Sequence, residues 1–179
     1  PRLRERVGTA TGATDLTNAL FHRTMLAINM GAYAEAERFA EEGFALAQSR
    51  FGEKDPVRVA SSVALVQAYR HTRKFDLALV AGERLYREAT AVYGLAAPNQ
   101  RMNEARNGYA RALADTGEVS RGIAMLESSL ADTRALLGPK NRDVGFTRQN
   151  IAAYRVDVGE LQLAHADMAE ALEILGSFL

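Results

Sequence analysis

Apolar residues recur along this chain at intervals of three and four, the period of a helix with one face turned toward a core. Leu16, Leu20, Thr24, Ala27 and Met30 trace the first stripe, and Gly31 closes it. Tyr33 opens a second stripe, carried by Ala36, Phe39, Ala40, Phe44 and Ala47 to Phe51, with Gly52 at its end. The arrangement then repeats between Gly52 and Gly94. A stripe runs from Pro56 to about His71, the chain breaks at Thr72-Arg73-Lys74, and a further stripe runs from Phe75 to Tyr93. Two helical stripes joined by so short a break predict a helical hairpin. Ahead of the first stripe, residues 1–13 are basic and then rich in Gly, Thr and Ala without any period, which reads as a tail or linker. The alternative is the end of a preceding helix. Thr14 and Asp15 are the expected N-caps of the first helix.

The breaks align with one another. The turns read Gly31-Ala32-Tyr33, Arg73-Lys74-Phe75, Gly117-Glu118-Val119 and Gly159-Glu160-Leu161, at offsets of 42, 44 and 42 residues. Three residues past each large apolar residue stands a small one, Ala36, Ala78, Gly122 or Ala164, as two closely paired helices require. Eight residues further on stands a large one, Phe44, Tyr86, Leu130 or Leu172. A fixed period in this range indicates a solenoid of stacked hairpins. The two extra residues of the 44-residue interval lie between Gly94 and Gly117, and the turn around Pro98-Asn99-Gln100-Arg101 is the place expected for them. The last helix is expected to stop about one turn early, at Gly176.

On these residues the chain resembles tetratricopeptide repeats. The Gly-x-aromatic turns, the small residue that follows them, and the pairs Leu65-Val66, Tyr109-Ala110 and Ile151-Ala152 carry the resemblance. A period near 42 is similar to the kinesin-light-chain variety, and so are Phe51-Gly52-Glu53-Lys54-Asp55-Pro56 and Tyr93-Gly94-Leu95-Ala96-Ala97-Pro98. Leu137-Gly138-Pro139 matches the start of that motif but lacks the later Pro. The resemblance implies an all-α, right-handed solenoid of eight helices in one domain, residues 14–179. Its four repeats fall at about 15–53, 54–95, 96–138 and 139–177. It also implies a concave groove lined by the first helix of each repeat, and a role in binding a protein or peptide. Bacterial chains with such repeats often carry them beside a kinase, nucleotidase or DNA-binding domain, so a fragment of a larger regulatory or signalling protein of bacterial type is expected. The first repeat departs from the pattern, with Arg23-Thr24 where the others have an apolar-small pair. That marks either a terminal repeat with one face in water or a join to something upstream.

Composition narrows the chemistry. The chain is 47% hydrophobic and 25% charged, which is neither disordered nor membrane-like. Lys+Arg and Asp+Glu both count 22, and this balance argues against a nucleic-acid partner. With no Cys, thiol catalysis and thiolate metal sites are excluded. No apolar run approaches the roughly 20 residues that span a bilayer, and no signal peptide is visible. The expectation is a cytoplasmic protein, with the periplasmic part of a membrane protein as the alternative. The three histidines, His22, His71 and His165, fall in three different repeats, and Gly8-Thr9-Ala10-Thr11-Gly12 lacks the Lys-Ser/Thr of a phosphate loop. A non-catalytic chain without cofactor or metal is therefore expected.

Helical spacing selects the residues expected to line the groove. His22 and Met25 come from the first repeat, Gln67, Arg70 and His71 from the second, Asn107 and Arg111 from the third, and Gln149 and Asn150 from the fourth. Asn and Gln gain a helix little, so their concentration on one stripe points to amide contacts with a peptide backbone; an ordinary wet surface is the competing account. Tyr33, Phe44, Phe75, Tyr86 and Tyr109 are expected in the core. Two other roles stand beside groove binding. One is a structural module that self-associates, with a homo-oligomer formed through the apolar C-terminal helix; the other is a ligand- or peptide-sensing domain controlling an attached kinase or DNA-binding effector.

Overall fold

The computed structural model describes residues Thr9–Phe178, and these form eight α-helices with no strand among them. In chain order they are α1 (Ala10–Asn29), α2 (Tyr33–Arg50), α3 (Pro56–His71), α4 (Phe75–Tyr93), α5 (Gln100–Asp115), α6 (Val119–Leu137), α7 (Arg142–Asp157) and α8 (Leu161–Gly176). Consecutive helices pair as four hairpins. The residues up to Gly94 form one compact unit, with α1 to α4, and those from Leu95 form a second, with α5 to α8.

The turns inside the hairpins explain the sequence period. Gly31, Gly117 and Gly159 take positive φ of 73°, 98° and 78°, the left-handed conformation in which a chain most cheaply leaves a helix. In the second hairpin Arg73 holds that place with φ 60°, the one non-glycine residue with positive φ among those described. The first helices of the later repeats open on side-chain caps. Asp55 accepts from Val57 N at 2.8 Å ahead of Pro56, Asn99 from Met102 N at 3.1 Å, and Asn141 from Asp143 N at 2.9 Å. The helices α3, α5 and α7 all have 16 residues, so the two extra residues of the third repeat lie in the turn ahead of α5, between Gly94 and Asn99; of the stretch expected to hold them, Gln100 and Arg101 already belong to α5. The helix α8, at 16 residues, is shorter than α2, α4 and α6 at 18, 19 and 19.

The start of the chain differs from expectation. The first helix begins at Ala10, not after Thr14 or Asp15, because Thr9 caps it by accepting from Gly12 N at 3.1 Å. Residues 10–13, expected in the tail, therefore belong to α1, and Ala13 is buried. The rest of that expected tail, residues 1–8, lies outside the described residues, as does Leu179.

Within each unit, packing follows the small-residue positions. Ala36, Ala78 and Ala164 are buried in their hairpin seams. Gly122 stands in a closed seam: a Cβ there would lie 2.6 Å from the Ala110 carbonyl oxygen and 3.0 Å from Ala114 Cβ. In the second unit Ile123, Leu126, Leu130, Val144, Ile151 and Ile174 pack as one cluster around Ala110. Leu126 is wholly buried, an arrangement worth about 1.5–3 kcal/mol for such a side chain.

Three expected core positions stand differently. Phe44 and Tyr109 are buried, while Phe75 and Tyr86 are only half-buried. Tyr33 is 42% exposed, because the first residue of α2 lies at the edge of its hairpin, where its ring stacks on His71. Leu172 is 65% exposed although it shares a register position with buried Phe44 and Leu130; among the described residues no later helix covers it.

Candidate peptide-binding faces

The candidate residues are positioned by the burial of the helices that carry them. In α3, Arg58, Val59, Ser61, Ser62, Ala64, Leu65, Val66 and Ala68 are all buried. The half-buried remainder includes Val63 and, with it, Gln67, Arg70 and His71, the three residues read from the sequence. Arg70 Nη1 donates to Gln67 Oε1 at 3.5 Å, one turn back along the helix. His71 lies against Tyr33, with ring centroids 5.2 Å apart and planes 19° from parallel. The first unit thus joins an amide, a guanidinium and a stacked aromatic pair at the C-terminal end of α3. On α1 of the same unit His22 is exposed, its ring edge-on to Phe21 at 5.5 Å, and Met25 is half-buried.

The second unit shows the contrast more sharply. Ten residues of α5 are buried, and Glu104, Asn107, Arg111 and Asp115 form the half-buried strip between them. Asn107 Oδ1 is buried and accepts no hydrogen bond from the described residues, whereas most buried amides are satisfied. The carboxylates on this strip are already engaged. Glu104 accepts from Arg101 Nη1 at 2.9 Å, and Asp115 accepts from Tyr154 Oη of α7 at 3.1 Å. On α7, Asn150 is half-buried while Gln149 and Phe146 are exposed, and the Arg142 guanidinium stands 5.3 Å from the Phe146 ring. The α5–α7 face of this unit therefore offers amides and the Arg111 guanidinium, with Glu104 paired to a cation and Asp115 hydrogen-bonded to a phenol.

Ion pairs behind these faces hold the hairpins in register. In the first unit buried Arg58 pairs with buried Glu88 at 2.9 Å, and Ser62 Oγ donates to the same carboxylate at 3.2 Å. In the second unit Arg106 and Arg148, at the register position of Ser62, reach Asp132 and Asp167. Asp167 is buried between Arg148 and Arg155, and Arg155 also reaches Glu127 of α6. Spacing along one helix does not reveal these partners, because they come from the neighbouring helix.

Two shifted groups report the same cross-helix packing in the first unit. Tyr69 Oη donates to Glu41 Oε1 at 3.1 Å, and burial, with the Glu41 hydrogen bond and charge beside it, pushes the phenol up to about 12. Burial raises the Glu37 carboxyl, but the Lys74 and Thr72 hydrogen bonds and the Lys74 charge together outweigh it and hold the group below its ordinary value. Among the described residues no cluster of His, Asp or Glu is placed to hold a metal ion, and no helix is long and apolar enough to cross a membrane.

Left-handed turns at a period near 42, small residues in every hairpin seam and an all-helical make-up define a tetratricopeptide-like helical-repeat solenoid. Among solved structures the chain is similar to BtubC (BKLC) from P. vanneervenii, at 20% identity and a TM-score of 0.74, over 95% of this chain and 66% of that one. It is also similar to the kinesin-light-chain-type, nearly identical TPR-like repeats of Podosopora anserina, at 18% identity and a TM-score of 0.65, over 90% of this chain and 76% of that one. A variant of the latter gives 18% identity and a TM-score of 0.68 over the same shares. At these identities the likeness concerns the fold. No protein-family model and no curated protein sequence matches the chain.

Proposed function

We propose that this chain is a non-catalytic interaction module that binds a peptide segment along the polar stripes of its first helices. The observation that carries the reading is Asn107. Its side-chain oxygen is buried and receives no hydrogen bond from the described residues, on the half-buried strip of an otherwise buried helix. A peptide laid along α5 would give the Asn107 amide, once turned outward, the partner it lacks, and an unmet buried acceptor is otherwise costly. Arg111, four residues on and on the same face, adds a fork of donors suited to a carboxylate or a backbone carbonyl. Gln149 and Asn150 on α7 extend the amide supply in the same unit. Gln67, Arg70 and His71 on α3, with His22 and Met25 on α1, provide the corresponding face of the first unit. The likeness to kinesin-light-chain-type repeat structures supports the reading at the level of fold. A regulatory or signalling setting, in a larger protein, is part of the proposal.

The test is selection of binders from a random displayed peptide library, followed by affinity measurements on Asn107→Ala, Arg111→Ala and Arg70→Ala, with folding checked by circular dichroism. Binding should weaken by about tenfold for the loss of one charge-assisted hydrogen bond, and the arginine variants should lose salt dependence. A selection that returns no saturable binder, or binders indifferent to all three substitutions, refutes the proposal.

A further inference from the structure

We infer that this chain stacks head to tail on copies of itself, the α8 face of one copy seating against the α1 face of the next. The argument starts from the repeat register. Within the chain, the second helix of one hairpin packs on the first helix of the following one, as α2 does on α3 and α6 on α7. On the second-helix side the packed positions are Ala40 and Phe44 in α2, and Leu126 and Leu130 in α6, all buried. Leu130 shares its cluster with Val144 and Ile151 of α7. The same register positions in α8 are Met168, half-buried, and Leu172, 65% exposed.

The first-helix side shows the complementary half. Ser61, Ala64, Leu65 and Ala68 of α3 are buried. Their counterparts in α1 are Ala19, His22, Arg23 and Leu26, and all four are exposed, Leu26 at 59%. The Arg23 guanidinium lies over the Phe39 ring of α2 at 3.9 Å, so the charge is drawn toward its own hairpin and the methylene stem is left on the face. The chain thus presents, at its two ends, the two halves of an interface that it builds internally.

A second observation favours a copy of this chain as the occupant. The internal interfaces carry polar ties at matching positions, Tyr69 to Glu41 across α2 and α3, and Arg155 to Glu127 across α6 and α7. At the two ends both partners of that tie are absent together. Ala169 stands at the Glu41 and Glu127 position, and Ala27 at the Tyr69 and Arg155 position. Closing α8 on α1 of another copy therefore strands neither a carboxylate nor its donor at that seam, whereas a first helix with Tyr or Arg there would bury an unanswered polar group. The titratable groups left on the two faces are His165 on α8, and His22 and Arg23 on α1. Because the two surfaces differ, the contact is heterologous, and it propagates from copy to copy until a ring closes or a free end remains.

Sedimentation velocity of the full chain over a concentration series tests this. The average mass should rise beyond that of a dimer as concentration increases. Leu172→Glu and Leu26→Glu each alter an exposed position, so both should keep the parent circular dichroism, and each alone should stay at the monomer mass. Mixed together they should form a species of twice the monomer mass, because each retains the face the other has lost. A parent chain that remains monomeric up to its solubility limit overturns the inference. So does a Leu26→Glu variant that dimerises alone, which would mean that α8 pairs with α8. A mixture that stays at the monomer mass overturns it too.

Discussion

The hairpin of α5 and α6 should be destabilised by a single added methyl group. Gly122 occupies the seam position that Ala36, Ala78 and Ala164 hold in the other hairpins. Gly122→Ala would place a Cβ 2.6 Å from the Ala110 carbonyl oxygen, 3.0 Å from Ala114 Cβ and 3.2 Å from Ala114 N. Two effects oppose each other. Replacing Gly by Ala inside a helix gains about 1 kcal/mol from backbone entropy. Overpacking a closed seam costs about 1–3 kcal/mol. Two of the three nearest atoms are backbone of the facing helix and cannot rotate aside, so relief requires α5 and α6 to part, and parting them disturbs the cluster that holds Ile123 and Leu126. The overpacking term should therefore lie in the upper part of its range, for a net loss of about 1–2 kcal/mol. Urea unfolding followed by circular dichroism should show a lowered midpoint with an unchanged slope. A variant more stable than the parent by the full helix-propensity gain would show that this seam opens without cost, and would refute the reasoning.

Three further predictions follow from the structure. Arg73→Gly should stabilise the chain by up to about 1 kcal/mol, as relief of left-handed strain of about 1–2 kcal/mol exceeds the entropy that Gly adds to the unfolded chain; a destabilised variant in the same urea assay would show that Arg73 makes contacts worth more than the strain. Arg58→Met should cost about 3–5 kcal/mol by leaving buried Glu88 without its cation, while Arg58→Met with Glu88→Leu should recover most of the loss; a double variant as unstable as the single one would place the damage elsewhere. In an ultraviolet titration Tyr69 should ionise only near 12, and Tyr69→Phe should remove its share of the absorbance change there. The Tyr69 contribution to stability is complete below the unfolded value near 10 and is lost as pH rises toward 12, since the folded state holds the proton longer; a Tyr69→Phe variant whose absorbance change near 12 equals that of the parent would contradict the assignment.

By itself the sequence determined the parts of this protein that local sterics control. A chain leaving a helix needs a left-handed residue, so Gly31, Gly117 and Gly159 announced the turns, and a closed seam admits only small side chains, so Ala36, Ala78, Gly122 and Ala164 set the register. The half-burial of Gln67 on α3, and separately of Asn107 and Arg111 on α5, follows from the same kind of reading, since helical period alone sorts the faces of a helix. What tertiary structure decided depends on which neighbour is present. Leu130 and Leu172 share one register position, yet one is buried and the other is 65% exposed, because only the first has a following helix among the described residues. Arg155 and Asp167 stand on separate helices, and Tyr33 meets His71 across a hairpin boundary; no spacing along the chain encodes either pairing. Arg73 holds a glycine's conformation because the helices on either side impose it on the turn, and that constraint is absent from the local sequence.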